Sequence, residues 1–167
     1  ALQVIEALGL PLEPALDVAA TFKGLSHRCE HVPTNDGITW IDDSKATNIG
    51  AAIAAIESIA STGKLILIAG GQGKGVDFTP LATVINQRVD SVLLLGEDAS
   101  LIEAACKSSG ASVAITHVDS IEDAVSAARQ LAHPGDVVLL SPACASFDMF
   151  AGFAQRGRVF QKFVLDA

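Results

Sequence analysis

The sequence predicts a doubly wound, mostly parallel α/β sheet of the Rossmann-like kind, flanked by helices and entered through an antiparallel hairpin. Three observations predict it. Short runs apolar on both faces, at 65–69, 92–95, 113–115 and 137–140, recur roughly every 20 to 27 residues, the spacing of βαβ crossovers in a sheet covered on both sides. Helix signals lie between those runs. Two earlier extended runs, 27–34 and 38–42, are joined by Asn35-Asp36-Gly37, a turn sequence that supplies the positive φ angles of a hairpin.

Taken in order, Leu2, Ile5 and Leu8 form a short helical stripe ending at Gly9, and Pro11 and Pro14 introduce a second short helix toward Phe22. This opening does not share the pattern that follows. The expected boundary therefore puts 1–25 in the tail and linker of a preceding unit and 26–167 in the α/β domain. After the hairpin, Asn48 to Ala60 places Ile49, Ile53 and Ile56 on one helix face. Thr79-Pro80 opens another helix with Pro at its first position. Ser120 and Asp123 form a capping-box pattern ahead of Val125 to Leu131. The strand 137–140 is expected to run through Ser141 to Phe150 straight into an aromatic helix. There Phe150, Phe153, Phe160 and Phe163 stand at helical spacing, a core stripe with Phe153 as the candidate exception.

A chain of 167 residues, half of them apolar, suits one domain with a sizeable core. Its apolar runs are strand-sized, well short of the ~20 residues of a membrane span, so a soluble protein is expected. The net charge is -8 without a Lys/Arg cluster, which makes nucleic acid and anionic membrane poor partners. With no initiating Met and no basic segment before an apolar stretch, the chain reads as a fragment or excised domain without a signal peptide. Cys29, Cys106 and Cys144 are odd in number and widely spaced, as reduced cytosolic thiols are. Cys144 is a candidate nucleophile by position, against the plainer reading of a small buried thiol.

Chemistry-bearing residues gather at three strand-to-helix junctions, where open parallel sheets bind ligands and helix amides favour anions. The first, Asp42 to Asn48, clusters two carboxylates, Lys45 and hydroxyls. Adjacent side chains in an extended run point oppositely, so Asp42 and Asp43 are not expected to share a metal, and one of them faces the cleft. Thr47 or Asn48 alternatively caps the helix. The second junction, Gly70-Gly71-Gln72-Gly73-Lys74-Gly75, lets backbone amides and one cation approach a carboxylate or phosphate. Lys74 is followed by Gly75, so it is not a Walker A loop, and no dinucleotide fingerprint opens a helix. The third, Ser141 to Phe150, offers Ser141 and Ser146, with Ser146 or Asp148 as alternative helix caps. His27-Arg28 reads as a strand start with a surface charge.

In combination these residues resemble the C-terminal domain of the Mur ligases. The resemblance covers Phe22 to Val164 and rests on Phe-x-Gly-Leu-x-His-Arg at 22–28, Asp-Ser-Lys-Ala-Thr-Asn at 43–48, the glycine-Lys loop with Asp77-Phe78, and Ser141 to Phe150 with Gln155-Arg156-Gly157. Sister ligases typically carry an aromatic and then a His or Asn run after the Asp43 position, so Asp-Ser-Lys-Ala-Thr selects the D-glutamate-adding branch. What this implies is ATP-driven amide-bond formation in peptidoglycan synthesis in the bacterial cytoplasm. The carboxylate of UDP-N-acetylmuramoyl-L-alanine is phosphorylated, and the amine of D-glutamate attacks the acyl phosphate. The resemblance further implies that Thr47 and Lys74 hold the side-chain carboxylate of D-glutamate, and that Ser146 and the Phe153 backbone hold its other carboxylate. Arg28, Asp43 and Lys45 would face the nucleotide, Arg28 toward the phosphates and Asp43 toward the ribose. ATP and Mg2+ would be bound mainly by upstream domains, which also carry the catalytic phosphate loop and the metal ligands, so the chain by itself is expected to be inactive. The family usually has Asn in place of Asp42, a charge expected to matter little if exposed.

Two readings compete. A stand-alone doubly wound module that binds or senses a small molecule is compatible with the fold alone, and an upstream Gly-Lys-Thr or Gly-Lys-Ser loop in the parent protein discriminates against it. A nicotinamide-dependent oxidoreductase is disfavoured by the missing fingerprint.

Overall fold

The computed structural model describes residues 2–22, 24–60, 63–110 and 113–166. Two helices, α1 (Leu2–Ala7) and α2 (Glu13–Thr21), come first and bury no residue. The domain then runs β1 (Glu30–Val32), β2 (Thr39–Asp42), α3 (Ile49–Ser58), β3 (Leu65–Gly70), α4 (Thr79–Arg88), β4 (Ser91–Leu95), α5 (Ala99–Ser108), β5 (Ala114–His117), α6 (Ile121–Leu131), β6 (Val137–Leu140) and α7 (Phe153–Leu165). No helix among the described residues is long and apolar enough to cross a membrane.

Six strands form one sheet in the order β1-β2-β6-β3-β4-β5. Only the β1-β2 pair is antiparallel, with Val32 opposite Trp40. The other four pairings are parallel, as the doubly wound expectation requires. Because successive side chains of a strand face opposite sides, the central strands feed two cores. Leu65, Leu67, Val92, Leu94 and Leu139 pack toward α3, α4 and α5. Ile66, Ile68, Leu93, Leu95, Val138 and Leu140 pack with Trp40 and Phe160 under α6 and α7. Strands β3 to β5 wind outward, and β6 returns between β2 and β3. That reversal opens a crevice beyond the carboxyl ends of β2, β6 and β3.

Two local expectations are corrected. The extended run from His27 is a strand only over Glu30–Val32, because His27 and Cys29 adopt φ of 61° and 46°, outside the extended region. The β6 junction does not run straight into a helix: residues 141–152 form a loop, and α7 begins at Phe153. Phe150 therefore lies off the helix, although it packs on the same core as Phe160 and Phe163. Separately, α5 follows an aspartate, Asp98, at its N-cap, but that side chain makes no cap bond.

Candidate functional site

Backbone bonds tie the three loops beyond β2, β3 and β6 into one surface. Asp43 N–H donates to the Leu140 carbonyl at 2.8 Å, and Gly70 N–H donates to the Pro142 carbonyl at 2.9 Å. Gln72 and Ala145 exchange N–H···O bonds of 2.9 Å in an isolated antiparallel bridge, which fastens the glycine loop to the loop after β6. A Cβ at Gly71 would run into the Ala145 carbonyl, so this close approach requires glycine.

Arg156 is the central tie. It is 2 % exposed, donates from Nε to Ser44 Oγ at 3.0 Å, and donates from one terminal nitrogen to the carbonyls of Ser44 and Cys144 at 3.0 and 3.1 Å. Burial lowers its pKa to about 10, a loss of proton affinity that still leaves the guanidinium charged near neutrality. Ser44 Oγ in turn donates to the Phe153 carbonyl at 2.8 Å. One buried cation thus joins the β2 loop, the β6 loop and the first turn of α7. The sequence marked Gln155-Arg156-Gly157 only as part of a motif, since nothing in a lone Arg on a helix announces three buried acceptors.

Around this tie lie two clefts. The first, of about 370 Å³, is lined by Lys45, Thr47, Lys74, Ser146, Phe147 and Phe153, among others. Thr47, Lys74 and Ser146, from three separate junctions, and Phe153, from the start of α7, therefore meet in one place. Asn48 caps α3, its Oδ1 accepting from Ala51 N–H at 2.9 Å, which leaves the Thr47 hydroxyl with no hydrogen-bond partner among the described residues. Ser146 does not cap α7 either; its carbonyl accepts from Met149 and Phe150 in a turn, and the N-cap of α7 is Gly152, with no side-chain cap. In the first turn of α7 the N–H groups of Gln155 and Arg156 donate to the Gly152 carbonyl at 3.1 and 3.2 Å, while those of Phe153 and Ala154 have no partner among the described residues, a helix N-terminus beside this cleft, which Gly152 and Phe153 line.

The second cleft, of about 270 Å³, is lined by Arg28, Cys29, Asp43 and Lys45 with small residues of α3. It brings together Arg28, Asp43 and Lys45. Asp43 is fixed by Ser141 Oγ at 2.8 Å and Cys29 N–H at 3.2 Å. Burial, and then neighbouring Asp42, push its carboxyl up, against the pull of those two donors. Lys45 lines both clefts, its Nζ 4.3 Å from the Phe153 ring centroid, a cation-π contact that holds the ammonium at the junction.

Asp42 and Asp43 do point oppositely, and Asp43 takes the cleft. Asp42, however, is 0 % exposed, so its charge is not a surface detail. Its Oδ2 lies 2.7 Å from His27 Nδ1 and 2.8 Å from Gln161 Nε2, and its Oδ1 accepts from Ser44 N–H at 2.9 Å. His27 is correspondingly not a plain strand start. With Glu30 these residues bring three potential metal-ligating atoms within 4.8 Å of one another. Glu30 already accepts from His27 N–H and Gln161, so the group is a hydrogen-bonded clasp between the domain entrance, β2 and α7. Cys144 is fully buried, and burial pushes its thiol up to about 12, which removes the thiolate a nucleophile needs.

A doubly wound sheet whose reversal point carries paired clefts, one with a lysine, hydroxyls and a helix N-terminus, has the architecture in which α/β domains bind small anionic molecules. Residues 27–144 match the family described as Mur ligase, glutamate ligase domain, and the chain belongs to that family. It is 54 % identical over 159 residues to the UDP-N-acetylmuramoylalanine-D-glutamate ligase of Marinobacter nauticus, covering 95 % of this chain and 35 % of that protein. It is 51 % identical over 164 residues to the protein of the same name from Nitrosococcus oceani, covering 98 % and 36 %. The chain thus spans about a third of the length of these curated relatives. Among solved structures, UDP-N-acetylmuramate-alanine ligase from Thermotoga maritima superposes with a TM-score of 0.69 at 16 % identity, over 99 % of this chain and 36 % of that one, a likeness of fold.

Proposed function

We propose that this chain is the amino-acid-delivering domain of an ATP-dependent ligase that joins D-glutamate to UDP-N-acetylmuramoyl-L-alanine. The observation that carries the reading is the convergence of Thr47, Lys74, Ser146 and Phe153 on one cleft. A dicarboxylate needs two anion sites. The Lys74 ammonium and the Thr47 hydroxyl suit the side-chain carboxylate, and the Ser146 hydroxyl with the Phe153 N–H suits the other. Held at both ends, the amine is presented as a nucleophile. It attacks the acyl-phosphate carbon, the C–N bond forms as the C–O bond to phosphate breaks, and the amine gives up a proton.

In the second cleft Arg28 would face the nucleotide phosphates, with Lys45 beside it and Asp43 toward the ribose. Asp43 is already engaged by Ser141 and Cys29, and the described residues offer no further carboxylate beside it in that cleft. Mg2+, which would shield the phosphate charge, therefore fits a site supplied mainly by upstream domains. Residues 1–25 would belong to the preceding domain and its linker, and 26–167 to this one. In support, α1 and α2 bury nothing, and Leu8, Val18 and Phe22 are exposed. Because the acyl phosphate forms on other domains, closure about the Gly24 linker, whose φ is 89°, would be part of the cycle. These substrates would place the enzyme in the bacterial cytoplasm.

The test is phosphate release by the full-length protein given ATP, Mg2+, UDP-N-acetylmuramoyl-L-alanine and either D- or L-glutamate. Release that needs the acceptor and prefers D-glutamate is expected, while the isolated chain should release none. Acceptor-dependent release by the isolated chain, or indifference of the whole protein to D-glutamate, would sink the proposal.

A further inference from the structure

The turn after β4, Gly96-Glu97-Asp98, lines neither cleft, yet it is bonded to both arms of the first one. Asp98 is the N-cap of α5, and its side chain makes no cap bond there, forgoing the stabilisation an aspartate normally gives that position. Its Oδ2 instead accepts from Gly73 N–H at 2.7 Å, and its own N–H donates to the Gly71 carbonyl at 3.0 Å. A side chain at Gly73 would collide with Phe78. The hold on the loop ends there: Lys74, next along, is exposed with φ of 59° and has no side-chain hydrogen bond or ion pair among the described residues. Its position follows from that of Gly73.

The other arm is held by the same turn. Asp148 stands two residues beyond Ser146, and its Oδ2 accepts from Glu97 N–H at 2.9 Å. A Cβ at Gly96 would press on that carboxylate, so the two segments meet only because Gly96 is bare. The β4 turn is therefore a strut between the loop that carries Lys74 and the loop that carries Ser146.

We infer that Asp98 and Asp148 are positioning residues that fix the spacing between Lys74 and Ser146, and so set the length of dicarboxylate the cleft accepts. The inference rests on the glutamate reading of that cleft. Loss of a charged acceptor should loosen Lys74 in ground state and transition state alike, which raises KM and leaves kcat.

The experiment is steady-state kinetics of the full-length protein with D-glutamate and with D-aspartate, one methylene shorter. In Asp98→Ala the KM for D-glutamate should rise about tenfold, with kcat and the KM for ATP little changed, and the preference for D-glutamate over D-aspartate should fall about tenfold. Asp98→Asn and Asp148→Asn keep a neutral acceptor and should shift KM and preference by roughly threefold. A defect of general stability would lower kcat and leave the preference alone. Unchanged preference in folded Asp98→Ala overturns the inference. Should Asp98→Ala not fold, unchanged preference in Asp98→Asn does so. A wild-type protein with no D-glutamate-dependent phosphate release would refute the proposed function instead.

Discussion

At the amino end of the sheet, the carboxylates accept from backbone N–H groups. Asp90 takes Leu65 N–H at 2.9 Å, Asp136 takes those of Lys64 and His133 at 2.8 and 2.9 Å, and Asp36 takes Ile38 N–H at 2.9 Å. At the carboxyl end, Lys74 and the hydroxyls of Thr47 and Ser146 line a cleft without side-chain partners among the described residues. Polar groups that are used up hold a fold together, and polar groups left available beside buried ties such as Arg156 bind something else. The comparison separates residues whose loss costs stability from residues whose loss costs binding.

The largest effect should come where the two roles coincide. Gly157 lies in α7 against the His27-Asp42 clasp, and a Cβ there would be driven into the His27 ring. Alanine is the better helix former by about 1 kcal/mol, but His27 is tied to Asp42 and Asp42 to Ser44, so the ring cannot simply turn aside. Overpacking with disruption of a buried polar pair is expected to cost about 3 kcal/mol or more. Gly157→Ala should therefore lower the urea midpoint sharply and also depress activity, since His27, Ser44 and Lys45 move together. An unchanged midpoint would mean that the clasp gives way to the added methyl group without loss.

Next is Lys74→Ala, which should affect the carboxyl end alone. A charge-assisted bond to a carboxylate contributes about 1.5 to 3 kcal/mol, so kcat/KM for D-glutamate should fall roughly ten- to a hundredfold. The KM for ATP and the unfolding midpoint should hardly move, because the side chain is exposed. Unaltered D-glutamate kinetics would remove Lys74 from the site and blur the division between the two ends.

The same division explains what could be read from the sequence. Strands β3, β4 and β6 were legible because a run apolar on both faces admits few alternatives, and the turn at Asn35-Asp36-Gly37 and the Ser120 cap because their chemistry is local. Asp43, Lys45, Thr47, Lys74 and Ser146 were legible as junction residues, whereas Arg28 and Phe153 joined them, and the two groups separated, only through the resemblance. What was not legible depends on partners far away in the chain. His27 meets Asp42 across 15 positions and Arg156 meets Ser44 across 112. Nothing in the sequence marks the role of Asp98, because its partner, Gly73, lies 25 positions back. The start of α7 was misjudged for a related reason: the loop 141–152 is held by Asp43, Gln72 and Arg156 and not by its own helix propensity.

The smallest effect, and the cleanest test of the comparison, is at the amino end. Asp136 accepts from the N–H groups of His133 and then Lys64, and those bonds, with the nearby charges of His133 and Lys64, hold its carboxyl below the ordinary aspartate value. A group whose pKa is depressed by folding contributes stability that is fully present above its unfolded pKa and is lost as pH falls through the folded one. Replacing it with Ala leaves two backbone donors near the starts of β3 and β6 without their acceptor, so Asp136→Ala should destabilise by about 1 to 2 kcal/mol at neutral pH. The gap between wild type and variant should narrow as the solution is acidified through the carboxylate range, because the wild type then loses the same charge. Glutamate and ATP kinetics at a temperature where both proteins are folded should be alike. If the gap were independent of pH, the bonds would be working without the charge. If instead the kinetics changed, the two ends of the sheet would be coupled through β3 and β6, which carry the same strands from Asp136 and Lys64 to Ser141 and Gly70, and the division between holding and binding would have to be replaced by transmission along those strands.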